Sequence, residues 1–181
     1  MSAKPKHTGQ LTTAADYLRA SHIARWGIVQ TAMRQNIAEH QYRVWTLVRQ
    51  WGRAINLDFE QQQWAEEWAL HHDLPEIRTG DAPTPHKTPE VKEYLSKLEY
   101  EICPELEHIE ARLNADTKEF CKFCDTAEAV LFLRVNGIGQ HAADVRKLLE
   151  DQMTRRLKKS SIPELIQESL STLFIDAYHG T

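Results

Sequence analysis

Glycine is scarce in this sequence, with seven in 181 residues, and no stretch alternates apolar and polar side chains over the length of a β-strand. Turns between strands commonly need glycine, and strands with one buried face need that alternation, so both absences argue against a sheet. Cysteine is also scarce, and three cysteines, an odd number, do not suit a disulfide framework. We therefore expect an all-α protein with reduced thiols.

Long apolar runs and an excess of positive charge are absent as well. The longest apolar stretch, residues 127–135, is interrupted by Glu128 and Arg134 and is far shorter than the roughly 20 residues that cross a bilayer. Residues 1–6 lack the apolar core of a secretory signal. The formal net charge of −4 argues against binding to a nucleic acid polymer or an anionic membrane. These absences predict a cytoplasmic protein.

The length and composition fit a single domain. Hydrophobic residues make up 41% of the chain and charged residues 27%, which is sufficient for a compact core. We expect one domain over residues 1–181, with residues 1–10 as a flexible N-terminus. Cys121 and Cys124 form a C-x-x-C motif, but neither a second pair nor a nearby histidine pair accompanies it. We interpret this motif as helix packing and not as a zinc or redox site.

Capping residues and apolar spacing mark the helices. Thr12 or Thr13 can cap a helix that reaches about residue 20, while Asn36 and Asp58 precede two longer helices that end near residues 54 and 73. Further helices are predicted over residues 90–101, 117–135, 139–158 and 162–178. Residues 74–89 contain four prolines and one glycine, and so predict a long, stiff loop of the kind that walls a site.

The second and third predicted helices each carry an apolar face. The face of the second helix consists of Ile37, Val44, Leu47 and Val48. The face of the third helix is expected to consist of Trp64, Trp68 and Leu70. His40 then lies near the buried edge of the second helix, and His72 and Asp73 close the third.

His72 and Asp73 are adjacent, and such a dipeptide alone commonly means a surface pair or a helix cap. Adjacent side chains on a helix point about 100° apart, so they can share one ion only where the helix ends. Pro75 ends the helix there, because proline disfavours helical geometry in the preceding residue. His40 and Asp125 lie on two other predicted helices, and helical bundles build metal sites by such convergence.

Asp125 lies close to the apolar face of its helix, where a carboxylate needs a cation, a metal or hydrogen bonds to stay charged. A pair with Lys122 or a neighbouring arginine is an equally good interpretation of Asp125 taken alone. With His40, His72 and Asp73 it completes a set of two imidazoles and two carboxylates. That set suits a divalent cation, with Zn²⁺ preferred and Co²⁺ or Mn²⁺ as alternatives.

The order His40, then His72-Asp73, then Asp125 resembles that of the HD-domain metal-dependent phosphohydrolases. Residues 38–44, which read AEHQYRV, resemble the A-E-H-x-x-R-V helix of that family. The resemblance implies a compact helical bundle with the metal site between its helices. It also implies a homo-oligomer, either a dimer or a hexamer.

Three further motifs resemble those of the bacterial 5'-deoxynucleotidase branch of this family. Residues 72–76 read HDLPE and residues 79–81 read TGD, which match the branch's H-D-x-x-E and T-G-D motifs. Arg25-Trp26 corresponds to its R-W pair. These motifs imply a phosphohydrolase that acts on deoxynucleotides.

Within that branch, a few details are most similar to the phage dATP triphosphohydrolases. They are Ile28 two positions after Trp26, Lys87 in the proline-rich loop, and Lys122 one turn before Asp125. This resemblance implies cleavage of dATP to deoxyadenosine and triphosphate, with dADP and dAMP as further substrates. It also implies a phage with 2-aminoadenine in its DNA, whose enzyme works in the host cytoplasm.

The resemblance also assigns roles at the reacting end of the substrate. Glu76 is the expected general acid or base, although without the resemblance it is better interpreted as an exposed loop glutamate. Arg25, Lys87 and Lys122 are expected to hold the phosphates, arginine by bidentate contact and lysine as a point charge.

At the nucleoside end, Trp26 offers a flat face on which a base can stack. Ile28 is expected to line the base edge and to favour adenine by leaving no room for a 2-amino group. Asp81 is expected near the sugar 3'-hydroxyl, where it would help to select deoxyribose.

Two other functions fit the same residues. One is a broad-specificity 5'-deoxynucleotidase that acts on monophosphates. The other is a non-catalytic helical binding protein with an HD-like site, although a decayed site would be expected to have lost at least one of the four ligands or Glu76.

Overall fold

The computed structural model describes residues 9–81, 88–159 and 164–180, and these residues form a helical bundle. The chain begins with α1 (Ala14–Tyr17), which continues into a 3-10 helix (Leu18–His22). The helices that follow are α2 (Ile37–Ala54), α3 (Phe59–His71), α4 (Glu76–Thr79), α5 (Pro89–Ile102), α6 (Pro104–Arg112), α7 (Ala115–Asn136), α8 (Gly139–Lys159) and α9 (Glu164–Gly180). Within the described ranges there is no β-strand, so the predicted all-α class is confirmed.

Side-chain caps set the starts of the first three helices where the sequence predicts them. Thr13 caps α1, Asn36 caps α2 and Asp58 caps α3. At α2 the cap is reciprocal, because Asn36 accepts from the backbone of Glu39 and the Glu39 carboxylate accepts from the backbone of Asn36. The start of α2, which carries His40, is therefore fixed at both ends of its first turn.

The core lies around α7, which packs against α2, α3, α8 and α9. Phe120 and Phe123 of α7 are almost fully buried, and the ring of Phe123 lies 5.9 Å from that of Trp51 on α2. The predicted apolar face of α2 is confirmed. His40 lies on that same face and has no exposed surface. The metal-ligand candidate is thus built into the core and not onto the surface.

Two short helices and one side chain differ from the prediction. Proline begins both helices, since α4 follows Pro75 directly and α6 starts at Pro104, and proline is compatible with the first turn of a helix. Leu70 is 39% exposed and does not pack inward with Trp68. Two positions along a helix turn a side chain by about 200°, so Leu70 and Trp68 face opposite sides.

Residues 82–87 of the proline-rich segment, including Lys87, lie outside the described residues; the described part of that segment includes α4 and is not a continuous loop. In the part of the chain that the structure describes, no helix has the length and apolar character needed to span a bilayer.

Candidate active site

Four of the predicted side chains converge between α2, α7 and the turn that follows α3. One ligand atom from each of His40, His72 and Asp73 lies within 4.8 Å of the others. The Oδ1 atom of Asp125 lies 3.0 Å from His40 Nε2 and 3.9 Å from His72 Nε2. The structure therefore brings together two imidazoles and two carboxylates from three parts of the chain.

The turn after α3 makes this convergence possible. α3 ends at His71, and the backbone of His72 makes the last helical bond, to Trp68 at 2.9 Å. Leu74 then bonds back to His71, and Glu76 to Asp73, each at 3.0 Å. Because the chain turns here, two adjacent residues direct their ligand atoms at one point.

Hydrogen bonds donated by the Nδ1 atoms fix which nitrogen of each histidine remains available to bind a metal. His72 Nδ1 donates to the carbonyl of Ala69 at 3.1 Å, and a carbonyl can only accept. His40 Nδ1 lies 2.6 Å from an oxygen of the buried Glu128, to which it donates. In the neutral form of each ring, Nε2 is then the unprotonated nitrogen, and both Nε2 atoms face the aspartates.

This donor set fits a divalent cation. The Nε2 atom of His72 is buried and has no hydrogen-bond partner among the described residues. The Nε2 atom of His40 faces oxygens of Asp125 at 3.0 Å and Asp73 at 3.5 Å. Lone pairs therefore face lone pairs, and a cation between them satisfies all four groups.

Arg25 supplies a fixed positive charge beside this cluster. Its Nη1 lies 3.4 Å from Asp73 Oδ2, and only 14% of its side chain is exposed. Burial lowers the pKa of Arg25, but the charges of Asp73, Asp125, Glu128 and Glu76 outweigh that effect and raise it. The guanidinium stays charged and is positioned to meet an anionic group that reaches the cluster.

Glu128 and Gln35 belong to the site but were not predicted from the sequence. Burial raises the pKa of Glu128 to about 7, while Arg25 and the hydrogen bond from Gln35 act in the opposite direction. Glu128 lies three residues after Asp125, so both carboxylates lie on the same side of α7. That spacing is the one signal in the sequence that could have indicated Glu128.

Trp26 is held by contacts at both its backbone and its ring. Its backbone lies in the left-handed region with φ of 65°, and its N–H donates to Asp81 Oδ2 at 3.2 Å. The indole Nε1 donates to Gln35 Oε1 at 2.8 Å. The ring runs parallel to that of Phe132, with centroids 5.8 Å apart. The indole therefore has one defined orientation.

A cleft opens next to the cluster, between the residue 25–29 loop and helices α7 and α8. It is lined by Arg25, Trp26, Gly27, Ile28, Val29, Asp81, Asp125, Thr126, Ala129, Val145, Leu148, Leu149 and Gln152. Polar groups lie at the cluster end, and an apolar wall from α8, not predicted from the sequence, lies at the other. The shape suits a ligand with a charged end and a flat apolar body.

The remaining predicted residues lie at different distances from this cleft. Glu76 begins α4 and is close enough for its charge to act on Arg25. Asp81 lines the cleft, but one of its oxygens holds the backbone of Trp26. Lys122 is exposed on α7, one turn before the cleft residues Asp125 and Thr126, and is not itself among the residues that line the cleft.

A family model described as 5'-deoxynucleotidase YfbR-like matches residues 6–135. The chain belongs to this YfbR-like family. The matched range includes His40, His72, Asp73 and Asp125, and it also includes the Arg25-Trp26 pair.

Proteins of two phages are similar to this chain over most of its length. A dATP triphosphohydrolase of cyanophage S-2L is 56% identical over 92% of this chain and 95% of its own length. A dATP triphosphohydrolase of Salmonella phage PMBT28 is 31% identical over 72% of this chain and 70% of its own length. Most of this sequence, and not only its motifs, is therefore shared with these phage proteins.

A solved structure supports the same assignment. The HD phosphohydrolase DatZ of cyanophage S-2L, bound to dA and one catalytic Zn²⁺, has a TM-score of 0.92 and 54% identity, covering 95% of this chain and 99% of that chain. The predicted HD-domain helical bundle is confirmed.

Proposed function

We propose that this protein is a metal-dependent dATP triphosphohydrolase, which cleaves dATP to deoxyadenosine and triphosphate and also acts on dADP and dAMP. One observation carries the proposal: a cluster of two histidines and two aspartates opens into a cleft with an indole and an apolar wall. The 56% identity to a phage dATP triphosphohydrolase supports the same activity.

The metal proposed for this site is Zn²⁺, held by His40, His72, Asp73 and Asp125. The mixed imidazole and carboxylate set suits Zn²⁺, and Co²⁺ and Mn²⁺ are alternatives. The related DatZ structure contains one catalytic Zn²⁺. When bound, the cation supplies a Lewis acid for the phosphoryl group and brings the pKa of water into the neutral range.

Side chains at the cluster end have two proposed tasks. Arg25 holds the α-phosphate, because its charge is kept by surrounding carboxylates and its Nη1 lies 3.4 Å from Asp73. Glu76 accepts a proton from the water that attacks the α-phosphorus and returns it to the 5'-oxygen of the departing deoxyadenosine. The first turn of α4 fixes Glu76 next to Arg25.

Side chains at the other end of the cleft bind the nucleoside. The adenine is proposed to lie on the oriented indole of Trp26, with Ile28 and the α8 wall at its edges. Asp81 holds Trp26 through one oxygen, and its second oxygen is proposed to accept from the sugar 3'-hydroxyl. Ile28 excludes a 2-amino group, which fits an enzyme that depletes dATP in a phage with 2-aminoadenine DNA. Lys122 and Lys87 are left as proposed phosphate contacts.

The test is a nucleotide panel with purified protein and Zn²⁺, Mn²⁺ or Co²⁺. Each dNTP, dATP with 2-aminoadenine, dADP and each dNMP is incubated, and products are separated by ion-exchange chromatography. We expect deoxyadenosine and intact triphosphate from dATP. Release of pyrophosphate or single phosphates from dATP, or no deoxynucleoside from any nucleotide, would contradict the proposal.

A second candidate is a broad-specificity 5'-deoxynucleotidase, which the name of the matched family favours. Turnover of dAMP, dGMP and dTMP without turnover of triphosphates would establish it. A non-catalytic binding protein would be favoured if His40→Ala and Asp125→Ala left the bound metal content unchanged. We propose a homo-oligomer, a dimer or a hexamer, in the host cytoplasm, and light scattering of the purified protein measures the oligomer.

A further inference from the structure

A chain of hydrogen bonds, buried beyond its first member, runs from the cleft to the metal-ligand candidate His40. It passes from Trp26 through Gln35 and Glu128. We propose that Gln35 and Glu128 are positioning residues that fix the tautomer of His40 and couple it to the indole in the nucleoside cleft. The proposal rests on the proposed function in one respect, that His40 binds the metal.

The three hydrogen bonds are short. Trp26 Nε1 donates to Gln35 Oε1 at 2.8 Å, and Gln35 Nε2 donates to Glu128 Oε1 at 2.8 Å. His40 Nδ1 donates to Glu128 Oε2 at 2.6 Å. Gln35, Glu128 and His40 are 1%, 2% and 0% exposed, so water does not compete for the two bonds that join them.

The chemistry of Trp26 sets the direction of the whole chain. An indole N–H can only donate, so the amide oxygen of Gln35 must face it. The amide nitrogen of Gln35 then faces Glu128, and in the ionised form of Glu128 both oxygens are acceptors. His40 must therefore carry its proton on Nδ1, which leaves Nε2 free for the metal. Each orientation follows from the one before it.

Position 128 needs a carboxylate for the same reason. Two donors, the amide of Gln35 and the imidazole of His40, approach its two oxygens from different sides. A glutamine there has one oxygen and one NH₂ group, so one of the two donors would face another donor. In a buried site that mismatch is costly, and it can be relieved by moving the proton of His40 or rotating its ring.

The experiment measures Zn²⁺ affinity of metal-free protein by competition with a chromophoric chelator, in the absence of nucleotide. Glu128→Gln should weaken Zn²⁺ binding about 10- to 100-fold, the usual effect of losing the partner of a metal-binding histidine. Gln35→Glu should also weaken it, because two carboxylates then face each other. His72→Ala gives the value expected for a lost ligand.

The double variant Gln35→Glu, Glu128→Gln provides the decisive comparison. The new carboxylate at position 35 accepts from Trp26 and from the new amide at position 128, whose oxygen accepts from His40. The chain is complete again with the same total charge, so the double variant should recover most of the affinity that each single variant loses. A double variant as weak as Glu128→Gln alone would overturn the proposal.

Two more variants separate positioning from general damage. Glu66→Gln is the matched control, because Glu66 lies in the middle of α3 and, like Glu128, accepts hydrogen bonds from two side chains: from Arg49 at 2.8 Å and from Gln62 at 3.0 Å. This variant should bind Zn²⁺ with the affinity of the unchanged protein. Trp26→Phe removes the first donor, keeps an aromatic ring at that position and should weaken Zn²⁺ binding several-fold, which keeps the test open if Glu128→Gln fails to fold. Wild-type affinity in Trp26→Phe or in a folded Glu128→Gln would overturn the proposal. Since no nucleotide is used, failure to hydrolyse dATP would leave this result unaffected.

Discussion

Replacing Ile28 with alanine should change which base the enzyme accepts. Ile28 lines the cleft two residues after Trp26 and is 47% exposed, so about half of its surface is free for a base to cover. Full burial of an isoleucine is worth about 1.5–3 kcal/mol, and half of that is about 0.7–1.4 kcal/mol. Because about 1.4 kcal/mol is tenfold, Ile28→Ala should lower kcat/KM for dATP by about 3- to 10-fold.

The same change should have the opposite effect on dATP with 2-aminoadenine. Removing the branched side chain opens the space in which the 2-amino group would lie, so kcat/KM for this nucleotide should rise while that for dATP falls. The assay measures deoxynucleoside release from each nucleotide, separately and in competition, with Zn²⁺ present. The quantity compared is the ratio of the two kcat/KM values.

Leu148→Ala is the matched control for Ile28→Ala. Leu148 lines the same cleft from α8 and is 51% exposed, so its removal should lower kcat/KM for both nucleotides alike. If Ile28→Ala lowers the dATP rate but leaves the ratio unchanged, Ile28 only provides contact and the exclusion argument is refuted. If Leu148→Ala shifts the ratio equally, the exclusion does not belong to Ile28.

Three other perturbations follow from the site and the core. Glu76→Gln should lower kcat for dATP about 10²- to 10⁴-fold, with bound Zn²⁺ unchanged by metal analysis; loss of the metal would contradict a proton-transfer role. Adding Zn²⁺ at 100 times its Kd to the metal-free protein should raise its free energy of unfolding by about 2.7 kcal/mol and its Tm by roughly 5–11 °C. His72→Ala should abolish that rise. Burial raises the pKa of Cys121 and Cys124, and Cys103 is also buried. A thiol reagent at pH 8 should therefore label no cysteine in the native protein and all three in guanidinium. Rapid labelling of the native protein would contradict the interpretation that these cysteines serve helix packing.

The fold was predictable where local signals agree with tertiary burial. In α2 the cap at Asn36 and the stripe from Ile37 to Val48 both indicate the same helix and the same buried face. α4 was not predicted, because Pro75 was interpreted only as ending α3, whereas it also precedes a helix; α6, which starts at Pro104, was not predicted either. A proline marks a boundary, and the sequence alone does not say on which side the helix lies.

The convergence of His72 and Asp73 with His40 was predictable because a helix end and a helix face are local properties. The partner of His40 was not, because His40 and Glu128 are 88 residues apart in sequence and meet only when α7 packs on α2. Within the apolar run of α7, Glu128 indicated only that the run could not span a membrane. Its function depends on which donors surround it, and that is a property of packing.

The backbone of Trp26 adopts a conformation that a tryptophan ordinarily avoids. Its φ of 65° lies in the left-handed region, where a residue with a Cβ atom is strained. Arg25 pairs with Asp73 while its guanidinium lies 5.6 Å from the centre of the Trp26 ring, and both residues line the cleft. Asp81 accepts a hydrogen bond from the backbone of Trp26, and Gln35 accepts one from its ring. The strain is therefore held by the same contacts that orient the base platform and the metal-binding histidine.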